Sequence, residues 1–109
     1  MSNSIKLIIF PVKDVEKAKA IYNTFLGGEP YADSPYYIGY KVGDVEVGLV
    51  PNGPEQVSYI DVVDIHSSIK ELEAAGATLH VDVKDVGGGL LVAAVEDADG
   101  NVLGLRQGK

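Results

Sequence analysis

The apolar positions along the chain run through the same change of period twice. Ile5 to Val12 is a nearly unbroken apolar run in which Lys6 is the only charge. That is strand length, and a strand apolar on both sides needs cover on both faces. Asp14 follows as a helix N-cap. Val15, Ala18, Ile21, Tyr22, Phe25 and Leu26 then recur at helical spacing, predicting one stripe about 100° wide. Gly27 and Gly28 end the helix, Gly27 as a left-handed cap. Pro30 to Ser34 reads as a short edge or loop. Tyr36 to Val42 and Val45 to Val50 read as strands around Gly43-Asp44, a two-residue hairpin signal. Pro51-Asn52-Gly53-Pro54 is the strongest linker in the chain.

After that linker the pattern restarts. Val57 to Val63 reads as a strand, and Asp64 caps a second helix with Ile65, Ser68, Ile69, Leu72 and Ala75 on one face and Gly76 at its end. Thr78 to Val83, Leu90 to Glu96 and Val102 to Arg106 read as the remaining strands. Val12-Lys13-Asp14-Val15 has its counterpart fifty positions on in Val62-Val63-Asp64-Ile65, and Val47-Gly48-Leu49 has one fifty-six positions on in Leu103-Gly104-Leu105. A half of about 50 residues buries too little surface to stand alone, so the halves should pair. The expected organisation is one domain over residues 1–109, with modules at about 5–51 and about 56–107.

The turn Asp97-Ala98-Asp99-Gly100-Asn101 and the strand after it carry a family likeness. Asp and Asn side chains bond their own backbone in such turns, and Gly100 admits positive φ. This segment resembles the turn and last strand of the vicinal-oxygen-chelate superfamily, which includes glyoxalases, bleomycin-resistance proteins and extradiol dioxygenases. With the duplicated strand–Asp cap–helix pattern, the resemblance covers Ile5 to Gln107. It implies an α+β fold, two tandem βαβββ modules forming a curved, cup-like mixed sheet with helices outside. In metal-using members the ligands correspond to Leu7, Gly48, Val57 and Gly104. None of these side chains has a donor atom, and a divalent metal needs convergent imidazole or carboxylate groups. The expectation is therefore a metal-free member with no cofactor.

Alternation assigns the faces of the strands. Leu103 and Leu105 should cover the helices, as should Val45, Val47 and Leu49. Glu46, Gly48, Val50, Gly104 and Arg106 then lie on the concave side. A two-residue turn at Gly43-Asp44 pairs Val42 with Val45, Lys41 with Glu46, Gly39 with Gly48 and Tyr37 with Val50. Lys41 opposite Glu46 is a favourable cross-strand pair. Gly39 opposite Gly48 should leave a gap with room for a ligand. A five-residue turn at 97–101 puts Ala94 opposite Gly104, a second small–small pair. Tyr37, Tyr59 and Asp61 also fall on the concave side, whereas Tyr22, Tyr36 and Tyr40 are expected under the helices or, for the last two, at a subunit contact.

Composition narrows the function. The 109 residues carry a net charge of −7 and no cysteine. The acidic balance argues against nucleic acid, which binds basic patches, and favours a cationic ligand. No apolar run reaches the ~20 residues that span a bilayer, so no membrane is expected. The missing cysteines exclude disulfides and thiolate chemistry. With no secretory signal at Met1-Ser2-Asn3-Ser4, they point to the cytoplasm. His66 and His80, the only histidines, lie on different elements and do not form a ligand pair. The Asp97 to Asn101 segment lacks the EF-hand glycine and terminal Glu positions. Gly87-Gly88-Gly89 precedes a strand and reads as a hinge or rim.

The candidate ligand wall is Leu7, Ile9, Tyr37, Gly39, Gly48, Val50, Val57, Tyr59, Asp61, Ala94, Gly104 and Arg106, with no catalytic residue assigned. Such an aromatic and apolar wall suits a small organic molecule. Asp61 and Arg106 read first as rim charges or an ion pair. The function expected is metal-independent binding of an apolar or aromatic, cationic ligand by a homodimer. The alternatives are a metal-independent enzyme using Asp61 or Tyr59 for proton transfer, a metal-dependent lyase or dioxygenase with unusual ligands, and a subunit-contact domain whose cup its own side chains fill.

Overall fold

A computed structural model describes residues 4–108. The fold is α+β, and the order βαβββ occurs twice. The chain divides into two compact units, one of Lys6–Gln56 and one of the residues from Val57 onward together with Ser4 and Ile5. The boundary falls just after the proline–glycine linker.

In the first unit β1 (Ile5–Val12) leads into α1 (Val15–Leu26), followed by β2 (Ala32–Asp33), β3 (Ile38–Val42) and β4 (Val45–Pro51). The strands lie in the order β2-β3-β4-β1. β1 runs parallel to β4, and β3 runs antiparallel to β4. The second unit repeats this with β5 (Val57–Asp61), α2 (Ile65–Ala74), β6 (Thr78–Asp85), β7 (Leu91–Glu96) and β8 (Val102–Gln107), in the order β5-β8-β7-β6. Here β5 runs parallel to β8 while β7 is antiparallel to both β8 and β6. A parallel pair needs a long crossover, and in both modules the helix and two further strands supply it.

Local chemistry sets the boundaries. The Asp14 carboxylate accepts from the Lys17 amide at 3.0 Å, and Gly27 ends α1 at φ 76°. Asp64 accepts from the His66 and Ser67 amides and the Ser67 hydroxyl at 3.1–3.2 Å. Chiefly through the Ser67 bonds, its carboxyl is held below the ordinary value. Asp97 is lowered likewise, first by Asn101, whose side chain and amide both donate to it.

One strand starts later than alternation suggests. The Ser34 hydroxyl oxygen accepts from the Tyr36 and Tyr37 amides at 3.2 and 3.1 Å, and the Ser34 amide donates to the Tyr37 carbonyl. That turn takes both residues out of the ladder. Pairing therefore begins at Ile38–Leu49, and the expected Tyr37–Val50 pair does not form.

Each module has its own core. In the first, Ala18, Ile38, Tyr40, Val47 and Leu49 are buried, with Phe10, Val12, Val15, Tyr22 and Leu26 packed against them. The Tyr22 ring lies 5.5 Å from Phe10 and 6.5 Å from Tyr40. The Tyr40 hydroxyl donates to Asn23 Oδ1 at 2.6 Å, satisfying a buried phenol. In the second, Ile65, Ile69, Ala93, Val95 and Leu105 are buried.

The α1 stripe is narrower than its spacing suggests. Ala18 is buried and Val15, Tyr22 and Leu26 pack on the core, but Ile21 is 63% and Phe25 79% exposed. Tyr36 is also exposed, which excludes the first of its two expected places, beneath a helix. No described helix is long and apolar enough to cross a membrane.

Candidate functional site

In the first module the face turned away from the core carries Leu7, Ile9 and Val50 beside the facing glycines. Ile9 pairs with Gly48, and Gly48 pairs across the hairpin with Gly39, as the turn at Gly43-Asp44 requires. The expected gap is nevertheless filled. A Cβ on Gly48 would lie 2.6 Å from Tyr37 Cε1 and 2.8 Å from Ile9 Cδ1. On Gly39 it would lie 2.8 Å from Tyr37 Cε2 and 2.9 Å from Tyr31 Cζ. These glycines are small because aromatic rings lie against their backbone, the arrangement by which a ring covers a strand glycine.

Tyr31 is the residue of this face that alternation missed, since it precedes a two-residue strand and has no periodic signal. Its hydroxyl donates to Glu46 Oε1, and the Lys41 ammonium sits 5.2 Å from its ring centroid. Burial first, then the bond to Glu46, pushes its phenol pKa well up, so it stays a proton donor. Lys41 and Glu46 occupy the expected cross-strand register. The ring lies between their charges, so Lys41 makes a cation–π contact rather than a direct pair.

In the second module Val57, Tyr59, Asp61, Ala94, Gly104 and Arg106 share the corresponding face. Tyr59 pairs with Gly104, Asp61 with Arg106, and Ala94 with Gly104 across the antiparallel ladder. Tyr59 fills the space over Gly104, where a Cβ would lie 2.5 Å from its Cδ1 and 2.8 Å from Val57 Cγ1. Arg106 donates to Asp61 from Nε at 2.7 Å and from an Nη at 3.3 Å. This forked pair engages both oxygens of the Asp61 carboxylate. Beyond the expected set, His80 Nδ1 lies 3.1 Å from Glu96 Oε1. His80 sits at a β-bulge, opposite Ala94 together with Val81. The contact joins β6 to β7, so the spacing of His80 from His66 carries no sign of it.

The family metal positions do not fit a metal. Leu7, Gly48, Val57 and Gly104 have no side-chain donor, and Tyr37 and Tyr59 occupy the space where groups on the glycines would project. Among the described residues no group of three or more His, Cys, Asp or Glu side chains could hold an ion.

A cavity of about 510 Å³ lies elsewhere in the second module, between α2 and the core-side surface of β5 and β8.

The chain is matched over residues 4–105 by the model of the glyoxalase/bleomycin resistance protein/dioxygenase superfamily. The search of curated proteins found no match. Among solved structures it is similar to a hypothetical protein from Bacillus halodurans C-125, with a TM-score of 0.82 at 18% identity, covering 100% of this chain and 96% of that one. It is also similar to a glyoxalase/bleomycin resistance protein/dioxygenase superfamily member from Vibrio splendidus 12B01, with a TM-score of 0.75 at 17% identity, covering 95% and 98%. A third similar structure is methylmalonyl-CoA epimerase from Mycobacterium tuberculosis, with a TM-score of 0.76 at 14% identity, covering 96% and 87%. At these identities the likeness concerns the fold. The family match over nearly the whole chain, together with the twice-repeated βαβββ order, makes this chain a member of the glyoxalase/bleomycin resistance protein/dioxygenase superfamily.

Proposed function

We propose that this chain is a metal-independent binding protein for a small, mostly apolar or aromatic, cationic molecule, taken up on its tyrosine-bearing strand faces. The observation that carries the reading is the replacement of donor positions by rings: Tyr37 over Gly48 and Tyr59 over Gly104. A wall of rings gives stacking area without ligating a metal. Two features support a cation. The Tyr31 ring already accepts the chain's own ammonium from Lys41. The net charge of −7 attracts cations over a long range. Proton transfer by Asp61 is disfavoured by its forked bond to Arg106.

Calorimetric titration with a series of aromatic ammonium compounds should give saturable binding by protein carrying no stoichiometric metal. Tyr37→Ala or Tyr59→Ala should weaken it by about tenfold, the loss of one stacked ring with its contacts. Elemental analysis finding about one Zn, Ni, Fe or Mn per chain, or unchanged affinity in both variants, would defeat the reading.

The proposal places the protein in the cytoplasm as a homodimer. Exposed Ile21 and Phe25, one turn apart on α1, are apolar surface of the kind an interface covers. Light scattering at micromolar concentration should return twice the 11.5 kDa chain mass. A monomer mass would refute the dimer.

A further inference from the structure

The cavity in the second module has a definite origin in the repeat. Its apolar floor is formed by Ile60, Leu72, Leu103 and Leu105. Fifty positions earlier, Ile60 and Leu72 correspond to Phe10 and Tyr22. In the first module those rings meet at 5.5 Å and bridge the space between helix and strand. In the second module the aliphatic pair at these positions lines the cavity of about 510 Å³. That volume lies within the range of small-molecule sites.

The rim has its own chemistry. Ser67, Ser68 and Glu71 reach it from α2, with Asp64 at the helix start. Among the described residues no Lys, Arg or His lines the cavity. The Ser67 hydroxyl donates to Asp64 Oδ2 at 3.1 Å, which leaves its oxygen lone pairs able to accept. Apolar below and acceptor-rich with carboxylates above, the cavity is complementary to one kind of molecule.

We propose that this cavity is a second binding site, separate from the tyrosine-bearing faces, for a small amphipathic cation. The apolar body packs on Ile60, Leu72 and Leu103, and the ammonium rests at Glu71 and the two serine hydroxyls. The proposal stands independently of the function proposed for the strand faces.

The test uses the whole chain and 4-phenylbutylamine as probe, followed by methyl NMR. Saturable shifts are expected at the Ile60, Leu72 and Leu103 methyls, while the Tyr37 and Tyr59 ring signals need not move. The anionic isostere 4-phenylbutyrate should bind more weakly. The double variant Ile60→Phe/Leu72→Tyr transplants the filling pair of the first module and should weaken the probe by at least about tenfold. Glu71→Gln alters only an exposed side chain and should weaken the amine by about two- to fivefold, the range of a surface charge pair, while leaving 4-phenylbutanol unaffected. If the double variant does not fold, Leu72→Phe and Glu71→Gln carry the test. Absence of shifts at these methyls through the millimolar range would overturn the proposal. So would equal binding of amine and carboxylate, or undiminished binding in both the cavity-filling and Glu71 variants.

Discussion

Gly104→Leu should destabilise the protein by at least about 1–3 kcal/mol, the usual cost of forcing extra methylenes into filled space. Even an alanine Cβ at this position would meet Tyr59 Cδ1 at 2.5 Å, Tyr59 Cε1 at 2.7 Å and Val57 Cγ1 at 2.8 Å. Cδ1 lies near the base of the ring, and Val57 is buried, so neither neighbour moves away cheaply. Gly48→Leu should cost less. The nearest atoms there are Tyr37 Cε1, Tyr37 Oη and Ile9 Cδ1, at the far ends of their side chains. Denaturant midpoints of the two variants should therefore rank Gly104→Leu below Gly48→Leu. Adding Tyr59→Ala to Gly104→Leu should recover part of the loss, and a double-mutant cycle reads that coupling directly. A Gly104→Leu protein as stable as the parent, or zero coupling to Tyr59, would show that the ring does not fill this space. The proposed binding mode is coupled to stability for the same reason, because a ring expelled by Leu can no longer stack on a ligand.

Leu49→Ala is expected to cost about 2–5 kcal/mol, a large share of the stability of a small domain. Leu49 is fully buried on β4, which is hydrogen-bonded to both β3 and β1. It belongs to the core with Ile38, Tyr40, Val47 and Ala18. Removing its isopropyl group leaves a void bounded by strand residues that have limited freedom to collapse. The urea midpoint should fall while the slope stays unchanged, since the native surface is preserved. A loss below about 1 kcal/mol would place Leu49 in the class of sites that relax to fill the gap. Phe25→Ala on α1 is the contrast: at 79% exposure in the chain, it has no comparable packing within its own core to lose.

Short-range rules account for much of the architecture. Asp14 and Asp64 cap the helices, Gly27 and Gly100 take positive φ at a helix end and a turn, and Gly43 lies in a tight hairpin turn. Each involves a residue and neighbours within a few positions, so its chemistry can be read along the chain. The two-residue turn also determined the Gly39–Gly48 register, and the five-residue turn the Ala94–Gly104 register. Alternation placed Leu7, Ile9, Val50, Val57, Asp61 and Arg106 on the strand faces, because side-chain period two holds wherever a ladder is regular. At Tyr37 the expected face held but the ladder pair with Val50 did not, because one serine hydroxyl captured two amides.

Occupancy was beyond the reach of pattern. Alternation tells which way a side chain leaves the backbone but not which neighbour fills the space above a glycine, and the expected gaps proved to be the seats of Tyr37, Tyr31 and Tyr59. The Tyr31–Glu46 bond spans 15 positions and the Arg106–Asp61 pair 45, so each exists only once the strands are side by side. The contrast between the modules is tertiary too. Phe10 with Tyr22, and Ile60 with Leu72, are equally good apolar residues in a sequence pattern. Only packing at fixed helix–strand separation makes one pair close the space and the other leave a cavity. Residue type, spacing and turn chemistry thus determined the elements, the repeat and the register, because these depend on backbone geometry over short distances. The filling of the strand faces, the ion pair and the cavity were decided by the tertiary structure, because they depend on side-chain volume and reach between distant segments.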